Sequence, residues 1–291
     1  MDKEKILYRL LFVFALFPLS LQAQLAGIRS RWDCSKEDQA VFSRFLQSME
    51  SKKELPTGEL MVETARFFLE VPYVAGSLEK EPERLVVNLR EQDCMTLVEN
   101  VTALAWTLKQ DSDFVSFQAL LQKLRYRNTC KKELVYTDRL HYTSNWIYEN
   151  EQKGLLKDMT QKIGGKPYPL NLSFMSTHPD SYKQLKGNPE AIAMMATKEK
   201  EINTRSYYYI PQEEINACAD KIRNGDIICF VTTIKGLDIS HVGIACRVGE
   251  KLTFIHASTT KKQVIVNEES LQDYVQNIKK NCGIMVVRAD F

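Results

Sequence analysis

The segment 93–108 constrains the fold most, because it describes a helix that must be buried. After Asp93, apolar residues recur at three- and four-residue spacing, at Leu97, Val98, Val101, Leu104, Ala105 and Leu108. This spacing is typical of a helix with one face in a hydrophobic core. Aspartate is also a favoured N-cap, since its carboxylate accepts hydrogen bonds from the free N–H groups of the first turn. We therefore predict a helix that begins at Cys94.

This helix would carry the thiol of Cys94 in its first turn. The positive end of the helix dipole favours the thiolate, which is the form that attacks a carbonyl carbon. Cys94 is therefore our candidate nucleophile. The alternative is a small buried apolar residue, since free cysteine is among the most buried residue types.

The N-terminal segment 1–24 has the features of a cleavable signal peptide. Lys3, Lys5 and Arg9 precede the apolar run 10–17, and the small residue Ala23 closes the segment. An uncleaved anchor is the alternative. We expect secretion into the periplasm or medium, with no stable membrane span after the segment is removed.

The remainder, 25–291, predicts a single catalytic domain with an aromatic-rich insertion at about 129–219. Lys and Arg number 39 against 37 Asp and Glu, a balance that argues against a nucleic-acid surface. Seven cysteines are an odd number, so at least one stays unpaired within the chain. An exported chain could oxidise some of them, and the spacing fixes no pairing among Cys34, Cys130, Cys218 and Cys282.

The order of secondary structure predicts an α+β fold. Helical patterns cover 37–49, 55–69 and 113–125, and Pro72 should end the second of them by forcing the preceding residue out of the helical region. Short segments rich in β-branched residues follow near the C-terminus, at 226–232, 240–247, 252–257, 263–266 and 283–288. Short connections predict antiparallel neighbours in a meander.

The insertion contains short aromatic and polar clusters that suit amphipathic ligands such as sugars and peptides. Packing within the protein is the alternative for each member. The candidate substrate-binding residues are Arg139, His141, Tyr142, Trp146, Ser173, Met175 and Tyr209.

Two histidines fall on one predicted hairpin. A two-residue turn at 249–250 would place His256 opposite Gly243. His241 would then lie diagonal to His256 on the same face. A thiol nucleophile needs one imidazole as its base and a second polar group that orients this base. The alternatives are two hydrogen-bonded sheet residues or a zinc site, although the sequence offers no accompanying ligand spacing. We expect neither a metal nor a cofactor.

These features together resemble the NlpC-type cysteine peptidase and amidase superfamily, which has a compact papain-like fold. Residues 71–76, Asp93-Cys94 with Val98-Glu99, 139–142 with Trp146, and 173–175 are similar to a branch of N-acetylmuramoyl-L-alanine amidase-like proteins. The resemblance implies a helical N-terminal half whose nucleophile helix packs on a C-terminal antiparallel sheet.

The resemblance also implies roles for individual residues. Cys94 matches the nucleophile, His241 the general base, and His256 the third polar residue. Tyr73 matches a tyrosine that lines the nucleophile and helps to bind the oxyanion. This chain departs from the pattern at Met95, where serine or threonine is commoner, and in a longer gap before the cysteine.

The implied function is a cysteine hydrolase of peptidoglycan or muropeptides that cleaves the amide between the lactyl group of N-acetylmuramic acid and L-alanine. One alternative is an endopeptidase that cuts the stem peptide after D-glutamate. A non-catalytic module that binds cell-wall fragments and an acyl transferase on a related fold are further alternatives. We expect a monomer.

Overall fold

The computed structural model of the protein describes residues 32–127 and 133–291. The segment 1–24, for which the sequence predicts a signal peptide, and Cys130 lie outside the described residues. Within them, no helix combines the length and the apolar character that a bilayer crossing needs.

The helices of the described chain agree closely with the patterns in the sequence. The predicted helix 37–49 is present, the helix at Cys94 begins at that residue, and the predicted helix 113–125 begins one residue late. The helices are α1 (Lys36–Met49), α2 (Thr57–Phe67), α3 (Cys94–Lys109), α4 (Phe114–Arg125), α5 (Thr143–Gln152), α6 (Thr160–Ile163), α7 (Phe174–Thr177), α8 (Pro189–Ile202), α9 (Ile215–Cys218) and α10 (Leu271–Asn277).

The five strands predicted near the C-terminus are all present, each within two residues of its expected bounds. The strands are β1 (Trp32–Asp33), β2 (Leu85–Val86), β3 (Leu156–Asp158), β4 (Lys166–Tyr168), β5 (Tyr207–Pro211), β6 (Ile227–Thr232), β7 (Ile239–Val248), β8 (Lys251–Ser258), β9 (Gln263–Val266) and β10 (Asn281–Ala289). Helices precede an antiparallel sheet, as the α+β prediction requires.

The sheet order differs from a simple meander. The order is β4-β5-β10-β6-β7-β8-β9, with β3 also paired to β10, and all of these pairs are antiparallel. The last strand returns to lie beside β6 instead of β9. The reason is the connection between β9 and β10, which contains α10 and is long enough to cross the sheet.

Helix α2 ends earlier than predicted. The sequence predicts a helix over 55–69 that Pro72 terminates, but the helix stops at Phe67, and Glu70 has a φ of 69°. This left-handed turn frees the following backbone for tertiary hydrogen bonds with β9. Glu70 N–H donates to Val264 O at 2.9 Å, and Val264 N–H donates to Val71 O at 2.9 Å. The pairing fixes the segment that carries Tyr73.

Helix α3 is buried on almost every side. Its predicted apolar stripe is buried as expected, and threonine and asparagine side chains on other faces are buried as well. The helix packs against α2, α4 and β7. Asp93 caps it as predicted, since its Oδ1 accepts the Thr96 N–H at 2.8 Å. Thr96 Oγ1 in turn accepts the Asp93 N–H at 2.8 Å.

A buried ion pair joins α3 to α4. Arg125 Nε donates to Glu99 Oε2 at 2.7 Å, and each side chain is only 3% exposed. Arg125 Nη1 also donates to Val86 O at 2.7 Å. Burial raises the pKa of Glu99, and the guanidinium opposes this rise.

Arg125→Met should destabilise the protein by about 3–5 kcal/mol, because it leaves the Glu99 carboxylate buried without its partner. Urea unfolding would measure the loss. The double variant Glu99→Gln/Arg125→Met should recover part of it, since no uncompensated charge then remains. Lys53→Met serves as control, because the Lys53–Asp111 pair is exposed and should contribute little. A wild-type midpoint for Arg125→Met would contradict the prediction.

Candidate active site

Cys94 lies at the first position of α3, at the point where the ladder between β7 and β8 ends. Their pairing runs from Val248↔Lys251 to Ile244↔Ile255. Beyond it, the backbone N–H of Val242 lies near the Cys94 sulfur and favours its charged form. The thiol is half-buried. Its neighbour Val242 directly follows His241 in the sequence.

The protonation of Cys94 differs from the expectation. The helix dipole predicted a lowered pKa, but burial, with a smaller effect from the Asp93 carboxylate, raises the pKa of the thiol to about 12. Backbone N–H groups, including that of Val242, oppose the rise. Because burial outweighs the helix N-terminus, the resting group is a thiol that needs a base.

The two histidines meet as the hairpin register predicts. His241 Nε2 and His256 Nδ1 lie 2.7 Å apart in a hydrogen bond. The predicted turn is confirmed by the pairing of Val248 with Lys251. Gly243 leaves room for the pair, since a Cβ there would lie 3.4 Å from His256 Cβ and 2.7 Å from the Phe254 ring.

A β-bulge precedes His241, and no pattern in the sequence predicts it. The register between β6 and β7 shifts from Phe230↔His241 to Val231↔Ile239, which leaves Ser240 as the extra residue. Bulges change the direction of a strand and the aim of its side chains. The Ser240 hydroxyl donates to Asn281 Oδ1 at 2.9 Å, which ties the bulge to β10.

Burial keeps both imidazoles neutral. It lowers the pKa of His241 to about 3, with a further contribution from His256, and lowers the pKa of His256 to about 4. Since Nε2 of His241 faces His256, Nδ1 is the nitrogen left to accept a proton. In that tautomer His256 carries its proton on Nε2, which is buried without a hydrogen-bond partner in the described chain.

In the described part of the chain, no hydrogen bond joins Cys94 to His241. The group near the thiol sulfur is the Val242 N–H, as described above. Catalytic hydrogen bonds are often long in the absence of substrate and shorten in its complex. The arrangement therefore offers a thiol, a neutral base and an orienting imidazole in one place.

Tyr73 lies beside Cys94. Tyr73 forms a β-bridge with Gln92 in the cysteine loop, and the Tyr73 N–H donates to Lys262 O at 2.9 Å. Burial raises the pKa of its phenol, and Cys94 and then Asp93 raise it further. A neutral phenol next to a thiol can donate a hydrogen bond to an oxyanion.

Tyr274 is a neighbour of the histidines that sequence reasoning missed. Its ring stands edge-on to His256 at 5.9 Å and to Phe254 at 4.8 Å between centroids. Burial raises its pKa to about 12, with a smaller contribution from Cys94. The spacing of Leu271, Tyr274 and Val275 indicates a helix face, but no pattern in the sequence shows where this helix docks.

Four of the candidates in the insertion lie in the interior. Arg139 pairs with Glu79 at 2.7 Å and with Glu83 at 2.8 Å. The Tyr142 hydroxyl donates to Glu199 at 2.6 Å, while Trp146 has no exposed surface. Met175 is also buried.

The other three candidates are partly accessible. Half-buried His141 contacts Tyr136 O through Nε2 at 2.9 Å, and burial lowers its pKa to about 3. Ser173 lies beside Gly236, whose carbonyl accepts its N–H at 3.1 Å. The Tyr209 ring packs 5.1 Å from that of Tyr168. The structure therefore gathers Cys94, His241, His256 and Tyr73, while it gives most of the insertion residues packing contacts.

The described residues contain no group of three or more His, Cys, Asp or Glu side chains that could hold a metal ion. The His241–His256 pair thus has no third ligand among them. One imidazole nitrogen of His241 already faces the other histidine.

The chain is similar to proteins named as N-acetylmuramoyl-L-alanine amidases. The family described as AmiA-like, N-acetylmuramoyl-L-alanine amidase-like, matches residues 63–284. An N-acetylmuramoyl-L-alanine amidase structure from Bacteroides uniformis is 38% identical, covers 81% of this chain and 99% of its own, and has a TM-score of 0.76. No curated protein matches the chain.

Two further structures share the fold. A Bacteroides fragilis protein that has been proposed as a xylanase is 38% identical, with 78% of this chain and 99% of its own covered and a TM-score of 0.71. A Legionella pneumophila protein is 24% identical, with 88% and 96% covered and a TM-score of 0.65. At this identity the Legionella protein shows the fold alone.

The buried histidines predict a loss of stability in acid. The folded pKa of His256 lies below its unfolded value of about 6.5, so below that pH the unfolded chain binds a proton that the folded chain does not. The contribution of His256 to the free energy of unfolding is therefore complete above pH 6.5 and is lost as the pH falls towards 4. The contribution of this histidine between pH 7 and 5 should be about 1–2 kcal/mol.

Between pH 5 and pH 7, the urea midpoint of His256→Gln should depend less on pH than that of the wild type. This holds even if the variant has a lower midpoint at pH 7. His178→Gln is the matched control, since His178 is exposed. Its pH dependence should equal that of the wild type. Parallel midpoint curves for His256→Gln and the wild type would show that this histidine does not titrate as the burial requires.

Proposed function

The chain belongs to the AmiA-like family of N-acetylmuramoyl-L-alanine amidase-like proteins, and from this premise we propose that it is a cysteine amidohydrolase of peptidoglycan fragments. The bond that it cleaves is the amide between the lactyl group of N-acetylmuramic acid and L-alanine. The observation that carries the proposal is the hydrogen-bonded pair His241–His256 next to the Cys94 thiol. It rests on a papain-like arrangement of these three residues within one catalytic domain, 25–291.

The reaction begins with the neutral pair. His241 Nδ1 takes the thiol proton of Cys94, and the sulfur attacks the lactyl carbonyl. Charge then moves to the carbonyl oxygen, which the Cys94 N–H and the Tyr73 hydroxyl stabilise. His256 accepts the Nε2–H of His241 and so holds the imidazolium in place.

The second half of the reaction releases both products. Imidazolium His241 gives its proton to the nitrogen of L-alanine as the C–N bond breaks, which leaves a thioester on Cys94. Water then attacks the thioester while His241 takes its proton, and the C–S bond breaks as His241 returns that proton to the Cys94 sulfur. The products are the sugar carboxylic acid and the free stem peptide.

A glycosidase is less well supported by this centre. Glycoside hydrolysis typically uses two carboxyl groups that flank the scissile bond. The residues gathered here are a thiol and two neutral imidazoles, which suit acyl transfer. The endopeptidase alternative uses the same centre and differs only in the bond that is cut.

We also propose that segment 1–24 directs export of the protein. A periplasmic location would bring the enzyme to its polymer and to the fragments released from it. The basic residues and apolar run at 3–17 support this part of the proposal.

Purified mature protein should release free stem peptide beginning at L-alanine from defined muropeptides, with reducing and with anhydro sugar ends both supplied. Cys94→Ala should lower the rate more than about a thousand-fold, because no other group replaces the nucleophile. Mass spectrometry of the products measures both. Cys282→Ala is the control, since this thiol contacts Val231 O instead of the centre and should keep near wild-type activity.

Two outcomes would overturn the amidase assignment. Products that keep L-alanine and D-glutamate on the sugar would show an endopeptidase. Binding of muropeptides without cleavage, equal in wild type and Cys94→Ala, would show a non-catalytic module.

The depressed pKa of His241 predicts an unusual pH profile. A base with a pKa of about 3 stays neutral through mild acid, and the thiol with a pKa of about 12 stays protonated through mild alkali. kcat/KM should therefore change less than about two-fold between pH 5 and pH 8. A histidine with an ordinary pKa would instead give a limb near pH 6.5.

Initial rates at matched ionic strength would measure this profile, with circular dichroism at each pH to show that the chain is folded. A ten-fold fall in kcat/KM from pH 7 to pH 5.5 in the folded protein would contradict the neutral buried base.

A further inference from the structure

A cleft of about 480 Å³ opens beside the two histidines. His241 and His256 form part of its wall, and Tyr274 forms another part. His256 is only 3% exposed, and its Nε2 has no hydrogen-bond partner in the described chain. A buried polar atom without a partner calls for an explanation such as a catalytic role or a bound group, and this one belongs to a residue of the cleft wall.

The outer wall of the cleft is the turn between β8 and β9, and it is fixed relative to the nucleophile. Lys262 O in this turn accepts the Tyr73 N–H at 2.9 Å. The Tyr73 segment bonds in turn to the cysteine loop, where Val74 N–H donates to Gln92 O at 3.0 Å. A continuous set of backbone hydrogen bonds therefore joins Lys261 and its neighbours to the loop before Cys94.

The reaction direction decides which part of a substrate enters this cleft. The imidazole that protonates the leaving nitrogen must lie on the leaving-group side of the scissile carbonyl. Because His241 lines this cleft, a leaving group that His241 protonates can extend into it. In the proposed reaction this amine belongs to L-alanine, and the rest of the stem peptide follows it.

The charged side chains that line the cleft are Lys261, Glu268 and Glu269, so it can contact a ligand that carries both signs. Lys261 Nζ lies 3.7 Å from Glu268 Oε1, and these side chains are 57% and 83% exposed. Their backbones are held in place, since Lys261 N–H donates to Ser258 Oγ at 3.1 Å and Glu268 O accepts Lys251 Nζ at 2.6 Å. Such an exposed pair contributes little to stability, so a ligand can replace each partner at small cost.

We propose that this cleft binds the leaving stem peptide, with Lys261 pairing to a peptide carboxylate and Glu268 to a peptide ammonium group. The stem supplies both groups, in the D-glutamate carboxylate and in the amine of the diamino acid that follows. The inference rests on the proposed amidase function, and it adds a specificity site outside the catalytic residues. The alternative occupant of the cleft is the glycan.

The test uses two substrates that differ in one charge. One muropeptide carries D-glutamate in its stem, and the other carries D-isoglutamine, in which the same carboxylate is an amide. Lys261→Gln should lower kcat/KM about ten-fold on the first substrate and leave the second within two-fold. Glu268→Gln should lower kcat/KM on a stem that ends in the diamino acid and spare a stem that ends at D-glutamate. Lys162→Gln is the matched control, because Lys162 is exposed and lies outside the cleft.

Binding of the free product separates the cleft from the chemistry. Isothermal titration of the tripeptide L-alanyl-D-glutamyl-diamino acid into Cys94→Ala should give a Kd about ten-fold lower than titration into Cys94→Ala/Lys261→Gln. If the wild type cleaves no muropeptide, the proposed function fails, and this titration still decides what the cleft binds.

Three results would overturn the inference while the amidase function stands. Lys261→Gln could lower kcat/KM equally on both substrates, or on neither. The effect of Lys261→Gln on kcat/KM could instead depend on whether the substrate carries its sugar, which would assign the cleft to the glycan. The tripeptide could bind both titrated variants with equal Kd.

Discussion

The burial of α3 is the constraint on which the rest of the structure depends. Protein surrounds most of this helix, and at its first turn Asp93 Oδ1 accepts the Thr96 N–H while Thr96 Oγ1 accepts the Asp93 N–H. Its charge at Glu99 likewise needs Arg125 from α4. These polar contacts fix the helix along its axis and in rotation. They thereby place Cys94 where the β7–β8 ladder ends and the Val242 N–H is available.

Local rules in the sequence were sufficient to predict the helix cap and the hairpin. A two-residue turn fixes the register of an antiparallel pair, so the meeting of His241 and His256 follows from their distance to that turn. The position of β10 could not be predicted in the same way, because a connection that contains α10 allows more than one neighbour. The bulge at Ser240 also depends on a tertiary contact, its hydrogen bond to Asn281.

The insertion shows why composition predicts less than register. Aromatic and polar residues suit a binding wall and a satisfied interior equally well, and the sequence around Tyr142 is compatible with both. These residues pack in the interior because their partners are distant in sequence: Glu199 bonds to Tyr142, and Glu79 and Glu83 pair with Arg139. No periodic pattern links such residues before the chain has folded.

The protonation of the centre follows from a competition that only burial decides. A helix N-terminus contributes about 0.3–1 kcal/mol to an anion in exposed positions, whereas removal of a charge from water costs several kcal/mol. At Cys94 the second effect is larger, and the same burial lowers the pKa of His241 to about 3. Both groups therefore rest in the neutral state, and the proposed reaction begins with proton transfer between them. The reacting thiol and imidazole are then both neutral, and in the proposed reaction the charged side chains at the cleft, Lys261 and Glu268, distinguish one substrate from another.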